Sequence, residues 1–177
     1  DMMRMAQVVS SCAPKCLAIP IKPDGKRAFK LGLMAAANAV ALDNAHDALA
    51  DAKATLGIAS LIRQRAPALW DALMVNTRKS SPLRLMQSEP VMLLCEYYGS
   101  PFNSIVTPLV ANAGNANEVA LFDLAFDPTP YLGAGDADLR EAIDGTTKVI
   151  RRVSINAQPG LLPIDHAPDD VLGEIGR

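Results

Sequence analysis

NAHDALADAKATLGIASLIRQR, residues 44 to 65, decides how the first half of this chain is read. Its apolar residues recur at spacings of three and four, the period of a helix buried along one side. One long helix from His46 to Arg65 is expected. Projected at about 100° per residue, Asp47, Asp51, Ala54, Ile58 and Ile62 fall in one narrow stripe. Ala48, Ala52, Leu56 and Ala59 widen it on one side and Leu61 on the other, while Lys53, Gly57, Ser60 and Gln64 take the solvated arc. Two carboxylates thus continue an apolar stripe. Burying a carboxylate without a partner is costly, and like charges four residues apart repel by a few tenths of a kcal/mol. The helix N-terminus favours Asp47 by about 0.3–1 kcal/mol, and Asp43 or Asn44 could cap the same turn. Asp51 lies beyond that help and calls for a cation. Two readings stay open: Asp47 caps the helix, Asp51 pairs with a basic residue and His46 is a loop histidine, or these residues belong to a metal site.

Working outward, DMMRMAQVVSSCA (1 to 13) predicts a short helix, and the proline-rich PKCLAIPIKPDGKRAF (14 to 29) a loop with a Pro-Asp-Gly turn. KLGLMAAANAV (30 to 40) predicts a short helix, and PALWDALMVNT (67 to 77) another, with Pro67 in its first turn. Trp70, spaced with Leu73 and Met74, is expected in the core. From residue 82 the pattern changes. VMLLCEYY (91 to 98), SIVTPLVA (104 to 111) and EVALFDL (118 to 124) are strand candidates between Gly, Pro and Asn turns, with ANAGNAN (111 to 117) as a hairpin connection. GAGDADLREAIDG predicts one helix. KVIRRVSIN (148 to 156) alternates as a strand, with Val149, Arg151, Val153 and Ile155 on one face and Lys148, Ile150, Arg152 and Ser154 on the other. The expected class is α+β, with a boundary in RKSSP (78 to 82).

Composition bounds function. The 177 residues are 50% hydrophobic and 20% charged, ordinary for a globular chain. No apolar run approaches the roughly 18 residues of a membrane span. A net charge of −2 does not advertise nucleic-acid binding, so any such contact must come from local basic patches. Three cysteines (Cys12, Cys16, Cys95) make a disulfide framework a poor reading and favour a reducing, cytoplasmic setting. Cys12 and Cys16, with no further close thiol, make a poor zinc site. The only other histidine, His166, is distant in sequence. The start at Asp1 and the stop at GEIGR, where PDDVLGEIG begins to look helical, both read as cuts through a longer protein.

At this point the sequence resembles a known family. NAHDALADAKAT followed by LIRQRAPALWDAL resembles the last motif of DEDD-type 3′→5′ exonucleases, in the variant carrying a histidine. FKLGLMAAANAVALDNAHDALAD resembles the approach to that motif in the exodeoxyribonuclease I family. EYYGSPFNSIVTPLVANAGNANEVALFDLAFDPTPYL and VIRRVSINAQPGLLPI resemble its second, SH3-like domain. The resemblance implies that residues 1 to 80 are the C-terminal helical part of a ribonuclease H-like α/β exonuclease domain. Residues 82 to 177 would be an SH3-like small β-barrel domain, truncated on its C-terminal side.

The implied activity is removal of nucleoside monophosphates from the 3′ end of single-stranded DNA, in repair and recombination. Four carboxylates in that family hold two divalent ions, Mg²⁺ or Mn²⁺, with histidine as general base. Carried over, His46 is the base, Asp51 a metal ligand, and Asp47 a cap or supporting residue. The family's first motif, Asp-x-Glu, occurs nowhere in this sequence, so the chain alone is expected to be inactive. Arg63, Arg65, Arg78, Lys79 and Arg84, opposed by Asp71, are candidate phosphate contacts. Tyr97, Tyr98 and Phe102 are candidate stacking faces; solvated helix ends and barrel core are the competing readings. Lys148, Arg151 and Arg152 form a second basic spot. The resemblance further implies, as a partner, the acidic tail of single-strand DNA-binding protein. Two rivals remain: a non-catalytic DNA- or protein-binding module, and an α+β domain with a chance His-Asp pattern.

Overall fold

The structure is a computed structural model, and it describes residues 1–42, 47–78, 80–173 and 175. It is α+β, with a five-stranded antiparallel sheet and helices. The chain divides into two compact units: residues 1–74 with 95–102, and residues 75–94 with 103–177.

In the first unit, helix α1 (Met2–Cys12) starts at Asp1, whose carboxylate accepts from the amides of Met3 and Arg4. That contact satisfies amides a helix start leaves without partners. Ala6, Val8, Val9 and Ser10 are buried. The loop that follows turns at Gly25, where φ is +80°, a backbone glycine adopts without strain. Arg27 ties the loop back to α1, donating to the carbonyl and hydroxyl of Ser10, both at 2.9 Å. Helix α2 (Leu31–Ala37) buries Met34 and Ala35.

Helix α3 (Ala48–Arg65) carries the anticipated stripe: Ala54, Ile58 and Ile62 are all 0% exposed. Its flanks depart from expectation. Leu56 is 66% exposed, and Ala48 and Ala52 are exposed, because α3 is covered over a narrow arc only. Gly57, assigned to the wet arc, is half-buried beneath Val40; a Cβ there would lie 2.5 Å from Val40 Cγ1. Gly57→Ala should therefore destabilise the protein by about 1–3 kcal/mol, although alanine is the better helix former by about 1 kcal/mol. Thermal melts check this, and Val40→Ala in the same chain should recover most of the loss. Helix α4 (Pro67–Val75) buries Leu69 and Leu73. Trp70 is only half-buried and Met74 is 41% exposed, so the inward face turns on the leucines.

The first helix wholly within the second unit is one the sequence did not suggest, α5 (Ser81–Ser88), with Pro82 in its first turn. The strands are β1 (Met92–Tyr97), β2 (Pro101–Ala111), β3 (Glu118–Asp123), β4 (Ile150–Ser154) and β5 (Gly160–Pro163). They lie in the order β4-β3-β2-β1-β5. β2 and β3 pair antiparallel, with Val106 opposite Asp123 and Ala111 opposite Val119; the register shifts between Pro108 and Val110. Pro108 has no amide to donate, so the irregularity falls where the ladder is already interrupted. β3 and β4 pair antiparallel from Glu118–Ser154 to Phe122–Ile150.

One core cluster gathers Met92, Leu94, Val106, Val119, Leu121, Val153, Ile155 and Leu161, with Leu85 and Met86 of α5 against it. A second joins Phe122, Ala142, Val149 and Ile150 with Leu139 and Ile143 of α6 (Asp136–Asp144). Both faces of β3 and β4 are therefore covered in part. Ile150 and Val153, read onto opposite faces of the strand, fall in these two different clusters. The last helix among the described residues is the short α7 (Asp169–Leu172), with Pro168 at its N-cap position.

Candidate functional site

Asp47 stands just outside α3, with extended backbone (φ −81°, ψ 126°), and its Oδ2 accepts from the amide of Ala50 at 3.0 Å. It is an exposed N-cap, not part of the buried stripe. Asp51 sits in the first turn of α3, half-buried, one turn before the fully buried Ala54. The stripe fades toward solvent here, so Asp51 borders the apolar face without entering it. No hydrogen bond or ion pair joins its carboxylate to another described residue, so the basic partner expected in one reading is absent among them. His46 lies outside the described residues, and so does Lys79. Among the described residues, no three His, Cys, Asp or Glu side chains come together in a way that could hold a metal ion.

The cationic candidates fall into two sets. Arg63 and Arg65 occupy the last turn of α3 in the first unit, where cations suit the helix C-terminus. Arg65 is engaged: its Nη1 donates to the carbonyl of Cys16 at 3.0 Å. Arg63 is exposed with no described partner. Arg78 and Arg84 are exposed in the second unit.

Of the aromatics, Tyr97 is half-buried, meets Phe29 edge-on at 5.1 Å and donates to the carbonyl of Gly99. Tyr98 is 70% exposed, with its hydroxyl on Glu96 at 2.6 Å, and Phe102 is 43% exposed. The open rings are Tyr98 and Phe102.

The second basic spot does not survive as a free patch. Arg151 is 9% exposed and pairs with Asp123 at 3.2 Å. Arg152 pairs with Asp144, and Lys148 donates to the carbonyl of Ile143. Sequence reasoning missed this buried group, in which Asp123 Oδ2 also accepts from Ser104 Oγ at 2.8 Å. The available signal was Arg151 itself, an arginine on the inward face of an alternating strand.

No protein-family model matches the chain. Among curated proteins, exodeoxyribonuclease I of Escherichia coli (strain K12) is 30% identical over 174 residues, covering 91% of this chain and 37% of that protein. The chain belongs to the exodeoxyribonuclease I family. Another family member, exodeoxyribonuclease I of Haemophilus influenzae, is 27% identical over 145 residues, covering 79% of this chain and 31% of its own length. The crystal structure of E. coli Exonuclease I in complex with a dT13 oligonucleotide matches with a TM-score of 0.77 at 27% identity. That match covers 99% of this chain and 41% of the solved one. An ExoI/SSB-Ct complex matches with a TM-score of 0.75 at 26% identity, covering all of this chain and 41% of the other. The chain thus spans well under half the length of these exodeoxyribonuclease I proteins.

Proposed function

We propose that this chain is the segment of a 3′→5′ exodeoxyribonuclease that carries its histidine-bearing last motif. The parent protein would degrade single-stranded DNA to nucleoside monophosphates in the cytoplasm, during repair and recombination. The observation that carries this reading is the similarity to E. coli exodeoxyribonuclease I over 174 residues. In it, residues 1 to 80 are the helical end of a ribonuclease H-like domain. Residues 82 to 177, with the strand order β4-β3-β2-β1-β5, are an SH3-like domain.

His46 is the proposed general base, since imidazole exchanges its proton near neutral pH. Asp51 is the proposed ligand to a hard divalent ion, which prefers carboxylate oxygen. Asp47 holds the helix start from which Asp51 projects. The described residues do not fit a two-ion centre by themselves: Asp51 brings one carboxylate, and no cluster of three ligands accompanies it. On its own, the 177-residue chain is therefore proposed not to digest single strands. Release of nucleotides by this chain in Mg²⁺ or Mn²⁺ would contradict that statement. Grafting it over the matching stretch of the E. coli enzyme should give an active chimera; a folded but inactive chimera would overturn the nuclease reading.

Arg63, Tyr98 and Phe102 are the proposed strand contacts, with Arg78, Lys79 and Arg84 further along the chain. Arg63→Ala should weaken oligonucleotide binding and lower the salt slope by about 0.7, the value for one phosphate contact on a single strand. Arg65→Ala should instead act mainly on stability, because that side chain braces the Cys16 carbonyl. Fluorescence anisotropy at several salt concentrations separates the two. The acidic tail of single-strand DNA-binding protein is the proposed protein partner, supported by the match to an ExoI/SSB-Ct complex.

A further inference from the structure

Two of the three cysteines meet. Cys12, the last residue of α1, has its Sγ 3.5 Å from Sγ of Cys95 on β1, although 83 residues separate them in sequence. Both belong to the first unit, and both are free thiols. Cys95 is buried, whereas Cys12 is partly open to solvent. The third thiol, Cys16, is buried. A disulfide needs the sulfurs about 2.05 Å apart, so an approach of roughly 1.5 Å closes the bond. Cys12 ends its helix, and the chain leaves the helical conformation at Ala13, so Cys12 can yield without breaking a helix interior.

We propose that Cys12 and Cys95 form a redox-modification site, which hydrogen peroxide converts into an intramolecular disulfide. The contact divides the work between the two thiols. Hydrogen bonding from Cys95 holds Cys12 below the ordinary thiol range, with burial opposing. The same bond, then burial, push Cys95 well above it. Cys12 is thus the partner that carries thiolate and meets the oxidant, and Cys95 the partner that resolves. Burial also raises Cys16, with Arg65 opposing, which keeps that thiol protonated.

The reaction balances in two steps. The Cys12 thiolate attacks one peroxide oxygen; the O–O bond breaks, hydroxide leaves and is protonated to water, and Cys12 becomes a sulfenic acid. The Cys95 sulfur then attacks the Cys12 sulfur; the S–O bond breaks, and the departing hydroxyl takes the Cys95 proton as a second water. The thiols lose two electrons and one peroxide gains them. The product would tie the end of α1 to β1. Closing so long a loop restricts the unfolded chain, so the oxidised protein should melt several degrees higher than the reduced one.

The test treats the reduced protein with hydrogen peroxide, quenches it, denatures it, and counts thiols before non-reducing peptide mapping. The titratable thiols should fall from three to one, with one cross-linked peptide joining Cys12 to Cys95 and dithiothreitol reversing both. Cys95→Ser should instead accumulate a dimedone-reactive sulfenic acid at Cys12. Cys16→Ser, which leaves the pair intact, should still form the link. A Cys12–Cys16 bridge, disulfides between molecules only, or three retained thiols in the folded protein would each overturn the proposal.

Discussion

Alanine at position 46, in a chimera where this chain replaces the matching stretch of E. coli exodeoxyribonuclease I, should lower turnover by about 10²–10⁴-fold. Single-strand affinity should stay close to that of the parent chimera. The split follows from the role: a general base acts only in the chemical step and contributes little to the bound ground state. Asp51→Ala should behave differently. Removing an oxygen ligand should lower the rate and also raise the Mg²⁺ or Mn²⁺ concentration needed for half-maximal activity. Steady-state rates across a divalent-ion titration, with oligonucleotide affinity measured in parallel, separate the two residues. Equal losses of affinity and rate in the His46 variant would show it to be a binding residue. An unchanged ion requirement in the Asp51 variant would remove it from the metal.

A comparably large effect belongs to the β unit. Asp123→Ala should cost about 3–5 kcal/mol of stability, seen as a fall in melting temperature of more than about 10 °C. Asp123 is 3% exposed and Arg151 9%. The carboxylate accepts from Arg151 Nη2 and Ser104 Oγ, while its Oδ1 accepts from the amide of Ala125 at 3.1 Å. Truncation leaves the guanidinium buried without its counter-charge, which is the expensive half of a broken ion pair. Replacing both partners by apolar residues of similar size, Asp123→Leu with Arg151→Met, should recover most of the loss. If the single variant melts with the parent, the pair contributes nothing and Arg151 is satisfied by other means.

These two effects sit at opposite ends of what could be read in advance. The run Ala54, Ile58, Ile62 was legible because helical period and burial coincide, and all three are fully buried. The alternation in β4 was legible for the same reason, down to exposed Arg152 and Ser154. Helix α5 was not, because Ser81 and Pro82 read as turn formers, and eight residues give little more than two turns of periodic signal. β5, four residues long, carries less still.

At the candidate site, the sequence supplied residue types and a family resemblance; the environment of each side chain came from packing. Asp47 and Asp51 project onto the same helical stripe, yet one is an exposed cap and the other a half-buried neighbour of the core. Periodicity gives direction around a helix and says nothing about where along its axis the covering elements stop.

By itself, then, the sequence determined the α+β class, the helix and strand periods that produce it, and the family likeness around His46 and Asp51. Only the tertiary structure decided which charges are spent inside the protein: Arg151 on Asp123, Arg152 on Asp144 and Arg65 on the Cys16 carbonyl. Only it brought Cys12 to Cys95 and Gly57 beneath Val40. Local pattern is fixed by neighbours three or four residues away, whereas these contacts join segments that meet only after the chain has packed.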